Sequence, residues 1–294
     1  MNNYKAFYDL NIAINEQDVT RLRDICDTLV TYGYKTVALN YEIEDLGSDT
    51  KKKKKKKGEI REVTDIVPEP LEISTLVKEF GDKLTLVHRL TFPFSDQQQF
   101  HMLNQSKNLK KYKILAAVPK TQSAFQSACS NLDIDIISLD CESRTSIRIN
   151  RKMYNLAVER GTFFEITYAP AILDSTARRN TIYVAHMYHT FGKSKNVIIS
   201  SGARESKYIR GPYDIVNLGL IFGLSEEQTK KAVSSTCRSL LTHADGRRCG
   251  KIIACIQSDT SPGRGNEVSI TNICDQEVNM DEEDLGPTQK KMKQ

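Results

Sequence analysis

The sequence predicts an α/β fold, a closed or nearly closed barrel with a parallel sheet, on three observations. Short apolar runs alternate with amphipathic runs along most of the chain, the signature of βαβ units and a parallel sheet. Seven strand-like runs fall within roughly 200 residues, which suits a single barrel domain. No Gly-rich turn follows the first run, as a doubly wound nucleotide-binding sheet would want, so the barrel is preferred over that open sheet.

Taken in order, Phe7 to Ile12 reads as the first strand. Val19, Leu22, Ile25, Cys26, Leu29 and Val30 then share one helical face, and Gly33 supplies the C-terminal glycine. Further strands are expected at Thr36 to Asn40, Leu84 to Leu90, Ile114 to Val118, Ile134 to Leu139, Phe163 to Tyr168 and Val197 to Ser200. Helices are expected at Leu71 to Phe80, Gln122 to Ser130, Arg151 to Arg160 and Ser175 to Phe191. Asp96 to Tyr112 is dominated by polar residues and has no clear period. Asp133 and Asp135 read as turn residues. Pro212 suits the first turn of another helix. Ser225 and Gln228 make a capping box for a helix whose buried face is Ala232, Val233, Cys237, Leu240 and Leu241. Ile252 to Ile256 resembles a last strand. One domain is expected over 1–257. Glu44 to Val67 is read as a charged, disordered insert carrying the run Lys51 to Lys57, and 258–294 as a disordered polar tail.

Composition narrows the function classes. Hydrophobic residues make up 39% of the 294-residue chain and charged residues 27%, enough for a full core and not a fibrous composition. The longest apolar run, Leu218 to Leu224, is too short to span a bilayer, and Lys5 and Asp9 interrupt any N-terminal leader. No membrane association is expected. Seven cysteines, an odd number without a C-x-x-C pair, imply reduced thiols in an intracellular setting.

Charge is local. The net charge is +5, but seven of the lysines are the single run, and without them the balance is 35 − 37 = −2. Between Arg178 and Lys251 there are thirteen Lys/Arg against five Asp/Glu. A polyanion would therefore be held by clusters rather than by the whole surface.

Catalytic signatures are missing. There is no G-x-S-x-G, H-E-x-x-H, P-loop or G-x-G-x-x-G. His186 and His189 are spaced to share a metal, but lack an evident third ligand. Asp9, Asp140 and Glu165 stand at expected strand ends and could bind Mg²⁺. These acids, with His189, define the alternative of an autonomous metal-dependent phosphoesterase. The arginines point elsewhere. Arg178-Arg179 opens a helix, Arg204 follows a small-residue turn after a strand, and Arg210 precedes a helix N-terminus. All three suit phosphate contact. No tryptophan and few interleaved aromatics are present, so backbone and shape recognition is expected over base stacking.

Val197-Ile198-Ile199-Ser200-Ser201-Gly202-Ala203, followed by the run from Ile209-Arg210-Gly211-Pro212-Tyr213-Asp214 to Ser225, resembles the thirty-kilodalton protein subunit of ribonuclease P and ribonuclease MRP. Tyr8-Asp9-Leu10-Asn11, Arg89-Leu90-Thr91, Pro119-Lys120-Thr121, Tyr168-Ala169-Pro170-Ala171-Ile172 and Arg178-Arg179 support the match. It runs from about Phe7 to Ile256. The resemblance implies a TIM-barrel-like α/β fold of the polymerase-and-histidinol-phosphatase type. Such phosphoesterases hold metals through a first-strand His-x-His and a late Ser-Asp-Ala-His. Here these read Asp9-Leu10-Asn11 and Ser201-Gly202-Ala203-Arg204, implying a former metal site with a guanidinium in place of an imidazole.

By that resemblance the chain is expected to be a non-catalytic subunit that binds and stabilises ribonuclease P RNA in the particle that removes precursor-tRNA leaders. It would serve ribonuclease MRP in rRNA processing as well. It would bind no cofactor, the Mg²⁺ being held by the RNA subunit. Its protein partner would be a small Pop-five-type subunit and its location the nucleus and nucleolus. The RNA contacts carried over are Arg89, Lys120, Arg178, Arg179, Arg204 and Arg210, with no catalytic residue and no metal ligand in the chain.

Overall fold

The computed structural model describes residues 6–14, 19–43 and 65–250. Seven parallel strands form one sheet in chain order: β1 (Phe7–Ala13), β2 (Tyr34–Glu42), β3 (Thr85–Phe94), β4 (Ile114–Pro119), β5 (Ile136–Ser138), β6 (Phe163–Thr167) and β7 (Val197–Ser200). The sheet curls until its edges meet. Just past β7, Gly202 N–H donates to Asn11 O at 2.8 Å, and Ala13 N–H donates to Ala203 O at 3.1 Å. The result is a nearly closed barrel, which leaves few unpaired strand edges.

Helices α1 (Val19–Thr31), α2 (Ser74–Phe80), α3 (Gln97–Asn104), α4 (Gln122–Ser130), α5 (Arg151–Glu159), α6 (Ala169–Leu173) and α7 (Ser175–Gly192) occupy the crossovers. Thr121, Asn150 and Asp174 cap α4, α5 and α7 through their side chains, each satisfying a backbone donor at a helix start. α8 (Pro212–Ile221), α9 (Glu226–Ala232) and α10 (Ser235–Cys249) follow the last strand.

Two apolar cores result. The larger lies between the barrel and the surrounding helices, and includes Leu22, Val37, Phe92, Phe125 and Tyr188. The smaller is inside the barrel, where Leu10, Ala38, Ile114, Ala116, Ile136, Phe163 and Ile198 pack with Cys237 and Leu240 of α10. α10 therefore closes the end of the barrel where the strands begin. Asp135, wholly buried just before β5, anchors it. Its carboxylate accepts from Arg247 at 2.8 and 3.0 Å and from Leu115 N–H at 2.8 Å, and it faces His243 Nδ1 at 3.2 Å.

Several expectations change. Asp135 is the α10 anchor rather than a turn residue, whereas Asp133 is exposed. The polar stretch 96–112 forms α3 and a 3-10 turn at Asn108–Lys111, turning Phe100 and Leu103 into the core. The helix expected from Ser225 breaks after Ala232, so α9 and α10 are separate, and Leu241 is only half-buried. The insert's expected boundary at Val67 moves. Asp65 Oδ2 accepts from the Lys107 and Asn108 N–H groups, and Val67 is buried. The rest of that insert, the expected strand Ile252 to Ile256 and the tail 258–294 lie outside the described residues.

Candidate nucleic-acid interface and the closed centre of the barrel

Strand alternation builds the centre. Ala38, Val87, Phe163 and Ile198 face inward, so Asn40, Arg89, Glu165 and Ser200, two residues on, also face inward. A bulge in β1 between Asp9 and Ile12 brings Asn11 into the same layer. The layer is polar, but each of these five residues is nearly or wholly buried.

Arg89 fills it. Its guanidinium makes a two-pronged ion pair with Glu165, at 2.5 and 2.6 Å, and donates to Leu10 O at 2.7 Å and Thr91 Oγ1 at 3.1 Å. Ser200 Oγ and Asn11 Nδ2 donate to Glu165 Oε1 at 2.5 and 3.3 Å. Asn40 Nδ2 donates to Asn11 Oδ1 at 2.9 Å, and Thr91 Oγ1 to Asn40 Oδ1 at 2.6 Å. Burial alone would raise the Glu165 carboxyl. The Arg89 charge and the donated hydrogen bonds outweigh it and hold the carboxyl below its ordinary value. Asp9, beside this network, behaves oppositely. Burial raises it to about 6 against hydrogen bonds from Ser201 and Asn11, and its Oδ2 has no partner.

Two sequence expectations are corrected here. Arg89 has no exposed surface and cannot contact RNA; its guanidinium is consumed inside the barrel. Nor is Arg204 the internal cation. It is exposed, and the positive charge at the barrel centre comes from Arg89. Of the acids and histidine of the phosphoesterase alternative, the fold brings only Asp9 and Glu165 near one another. Asp140 pairs with Lys120 at the surface at 2.9 Å. His189 lies near the far end of α7, facing Ser194. Among the described residues no three His, Cys, Asp or Glu side chains are grouped to hold a metal.

The remaining cations lie at one end of the barrel, because each follows a strand's C-terminal end. Lys120 follows β4, Arg178 and Arg179 lie beyond β6, and Arg204 and Arg210 follow β7. Arg178, Arg179 and Arg204 are exposed and Arg210 is half-buried. Arg178 also has a structural role, since its Nε donates to Ala171 O at 2.8 Å at the end of α6. Arg210 is held by its backbone: its N–H donates to Tyr168 Oη at 3.1 Å, and its carbonyl accepts from Tyr34 Oη at 2.9 Å. Its guanidinium rests on the Lys207 and Ile209 carbonyls. These cations therefore stand at the same end of the barrel.

Sequence reading missed Asn40, Thr91, Asp135, His243 and Arg247. Asn40 carried a signal, a polar residue two positions after the apolar Ala38 and so at its inward parity. The α10 contacts are more than a hundred residues apart in sequence and carried none.

A family described as RNase P subunit p30 matches residues 6–249. A mouse (Mus musculus) relative named ribonuclease P protein subunit p30 is 35% identical, over 90% of this chain and 96% of its own. A budding-yeast (Saccharomyces cerevisiae) relative, named ribonuclease P/MRP protein subunit RPP1, is 25% identical over 95% and 94%. The fold is similar to a chain in a cryo-EM structure of archaeal ribonuclease P with mature tRNA. The TM-score is 0.58 at 14% identity, covering 87% of this chain and all of that one.

Proposed function

The chain belongs to the RNase P subunit p30 family, and from that membership we propose that it is a ribonuclease P protein subunit that holds RNA and performs no chemistry itself. The observation that carries the reading is the pairing of a closed centre with a charged rim. The place where a barrel enzyme would work is filled by the Arg89–Glu165 pair, while Arg178, Arg179, Arg204 and Arg210 collect outside it. Phosphate neutralisation there favours the RNA conformation that is competent to cleave precursor-tRNA leaders. The Mg²⁺ ions belong to the RNA. The same surface serves ribonuclease MRP RNA, in keeping with the yeast relative's name. A small Pop-five-type subunit is the protein partner. The exposed apolar side chains of α8, Tyr213, Leu220 and Ile221, offer it a docking face. The setting is the nucleus and nucleolus.

Two experiments test this. The tagged protein, recovered from nuclear extract, is assayed for precursor-tRNA 5′ cleavage before and after micrococcal nuclease treatment. Loss of cleavage on nuclease treatment is expected. Survival, with loss instead in Asp9→Ala, would make the barrel the enzyme. The double variant Arg178→Ala/Arg179→Ala is expected to fold, to bind ribonuclease P RNA more weakly, and to lower the salt slope of binding by about 2.

A further inference from the structure

The turn between α7 and β7 combines unusual backbone with exposed charge. Lys193, Ser194 and Asn196 all have left-handed backbone, with φ of +52°, +55° and +53°. Asparagine tolerates this region; lysine and serine ordinarily avoid it, and glycine is the default there. Glycine does stand next to the turn, at Gly192, but for another reason. A Cβ there would come within 1.9 Å of Tyr154 Cε1.

The surroundings fix the turn. Tyr154 is wholly buried, its ring stacked on Phe164 at 4.1 Å, and its hydroxyl donates to Lys195 O at 2.6 Å. Gln228 Nε2 from α9 donates to Lys193 O at 3.2 Å, and Asn196 Nδ2 donates to Thr162 O at 3.3 Å. Lys193 N–H and Ser194 N–H close onto the His189 and Tyr188 carbonyls at the end of α7. Three elements thus hold the strained backbone, while both lysine side chains stay exposed. From Tyr188 to Asn196 there is no acidic residue. Backbone held in this region by its surroundings is the kind of feature that clusters at functional segments.

The turn also lies at the opposite end of the barrel from the arginine rim. Arg178 and Arg179 begin α7, and Lys193 ends it. Eighteen residues of helix place the two about 27 Å apart.

We propose that Lys193 and Lys195 form a second polyanion contact, for the phosphate backbone of an RNA segment other than the one on the arginine rim, so that the barrel braces two RNA segments across its height. The inference rests on the RNA-binding reading above. A competing role for Lys193 is purely local, as a cation at the negative end of α7.

The test replaces Lys193 with the residue its backbone prefers. Full-length Lys193→Gly/Lys195→Gln and Arg178→Ala/Arg179→Ala are titrated against a full-length ribonuclease P RNA transcript over a range of salt, with melting measured in parallel. The lysine variant is expected to melt about 2–4 °C higher, since backbone strain is relieved. Its affinity is expected to fall about fivefold or more, and its salt slope by about 2. The slope reductions of the two pairs should add in the quadruple variant, as for independent sites. Unchanged affinity and slope in a folded lysine variant would overturn the proposal, as would a lowered melting temperature without any loss of binding, which is the local role. If the arginine variant also binds as wild type does, the RNA-rim reading fails with it; if only the arginine variant is impaired, that reading stands and the second contact alone is wrong.

Discussion

Arg89 shows how one residue decides what a barrel can do. A buried guanidinium must be paired almost completely, and here Glu165, Leu10 O and Thr91 meet that need. Removing only the arginine leaves a buried carboxylate unpaired. Arg89→Met is therefore expected to destabilise the fold by about 3–5 kcal/mol, and Arg89→Met/Glu165→Leu to recover most of it, both read by urea unfolding. Asp9 supplies the opposite case. Its carboxyl is raised to about 6 by burial. Its contribution to stability is thus fully present below about 3.8, its unfolded value, and is lost as pH rises through about 6. Relative to wild type, Asp9→Asn should gain about 1–3 kcal/mol between pH 4 and pH 7. A difference between the two proteins that does not vary with pH would refute this assignment of the proton.

At the scale of elements, the arrangement depends on how the last helix is attached. α10 contributes Cys237 and Leu240 to the barrel interior and is tied down by Arg247 and His243 on Asp135 and by the 3.0 Å pair Lys113–Asp245. Arg247→Ala removes the two-pronged partner of a buried carboxylate, and should cost about 2–4 kcal/mol. Hydrogen exchange should place the loss first in α10. His243 is raised above its ordinary value by the hydrogen bond it donates to the Asp135 carboxylate, against burial. Its contribution is full below about 6.5 and is lost as pH rises through the raised value, so thermal unfolding of the Arg247→Ala protein should become more sensitive to pH above about 6.5. α9 stands beside it as a locally specified element: the Ser225–Gln228 capping box and the i,i+4 pairs of Glu226 with Lys230 and Glu227 with Lys231 are all present, each readable from spacing alone.

For the whole molecule, Glu165 and Asp135 are both held below the ordinary carboxylate range despite burial, one by Arg89 and the other by His243 and Arg247. Their stabilisation is present above about pH 4 and is lost as pH falls through the depressed values. Acid unfolding should therefore be steep below pH 4, and shallower in Arg89→Met/Glu165→Leu. The seven strands, their order and most of the helices were legible, because apolar periodicity and helix-end residues are local and the parallel crossover allows few topologies. The rim positions of Arg178, Arg179, Arg204 and Arg210 were legible for a related reason, since a residue that follows a parallel strand must emerge at that strand's C-terminal end. Arg89 was misread as a surface contact. Its sequence neighbours Leu90 and Thr91 carried the family pattern; alternation gives it the inward parity of Val87, but the carboxylate that pairs with it stands 76 residues away. By itself, then, the sequence determined the barrel, the cap of α9 and the placement of charge at one end, all consequences of short-range stereochemistry. Only the tertiary structure decided that the centre is sealed by an ion pair, that Asp135 anchors α10 and that the α7–β7 turn is strained, because burial and long-range pairing exist only once distant segments have met.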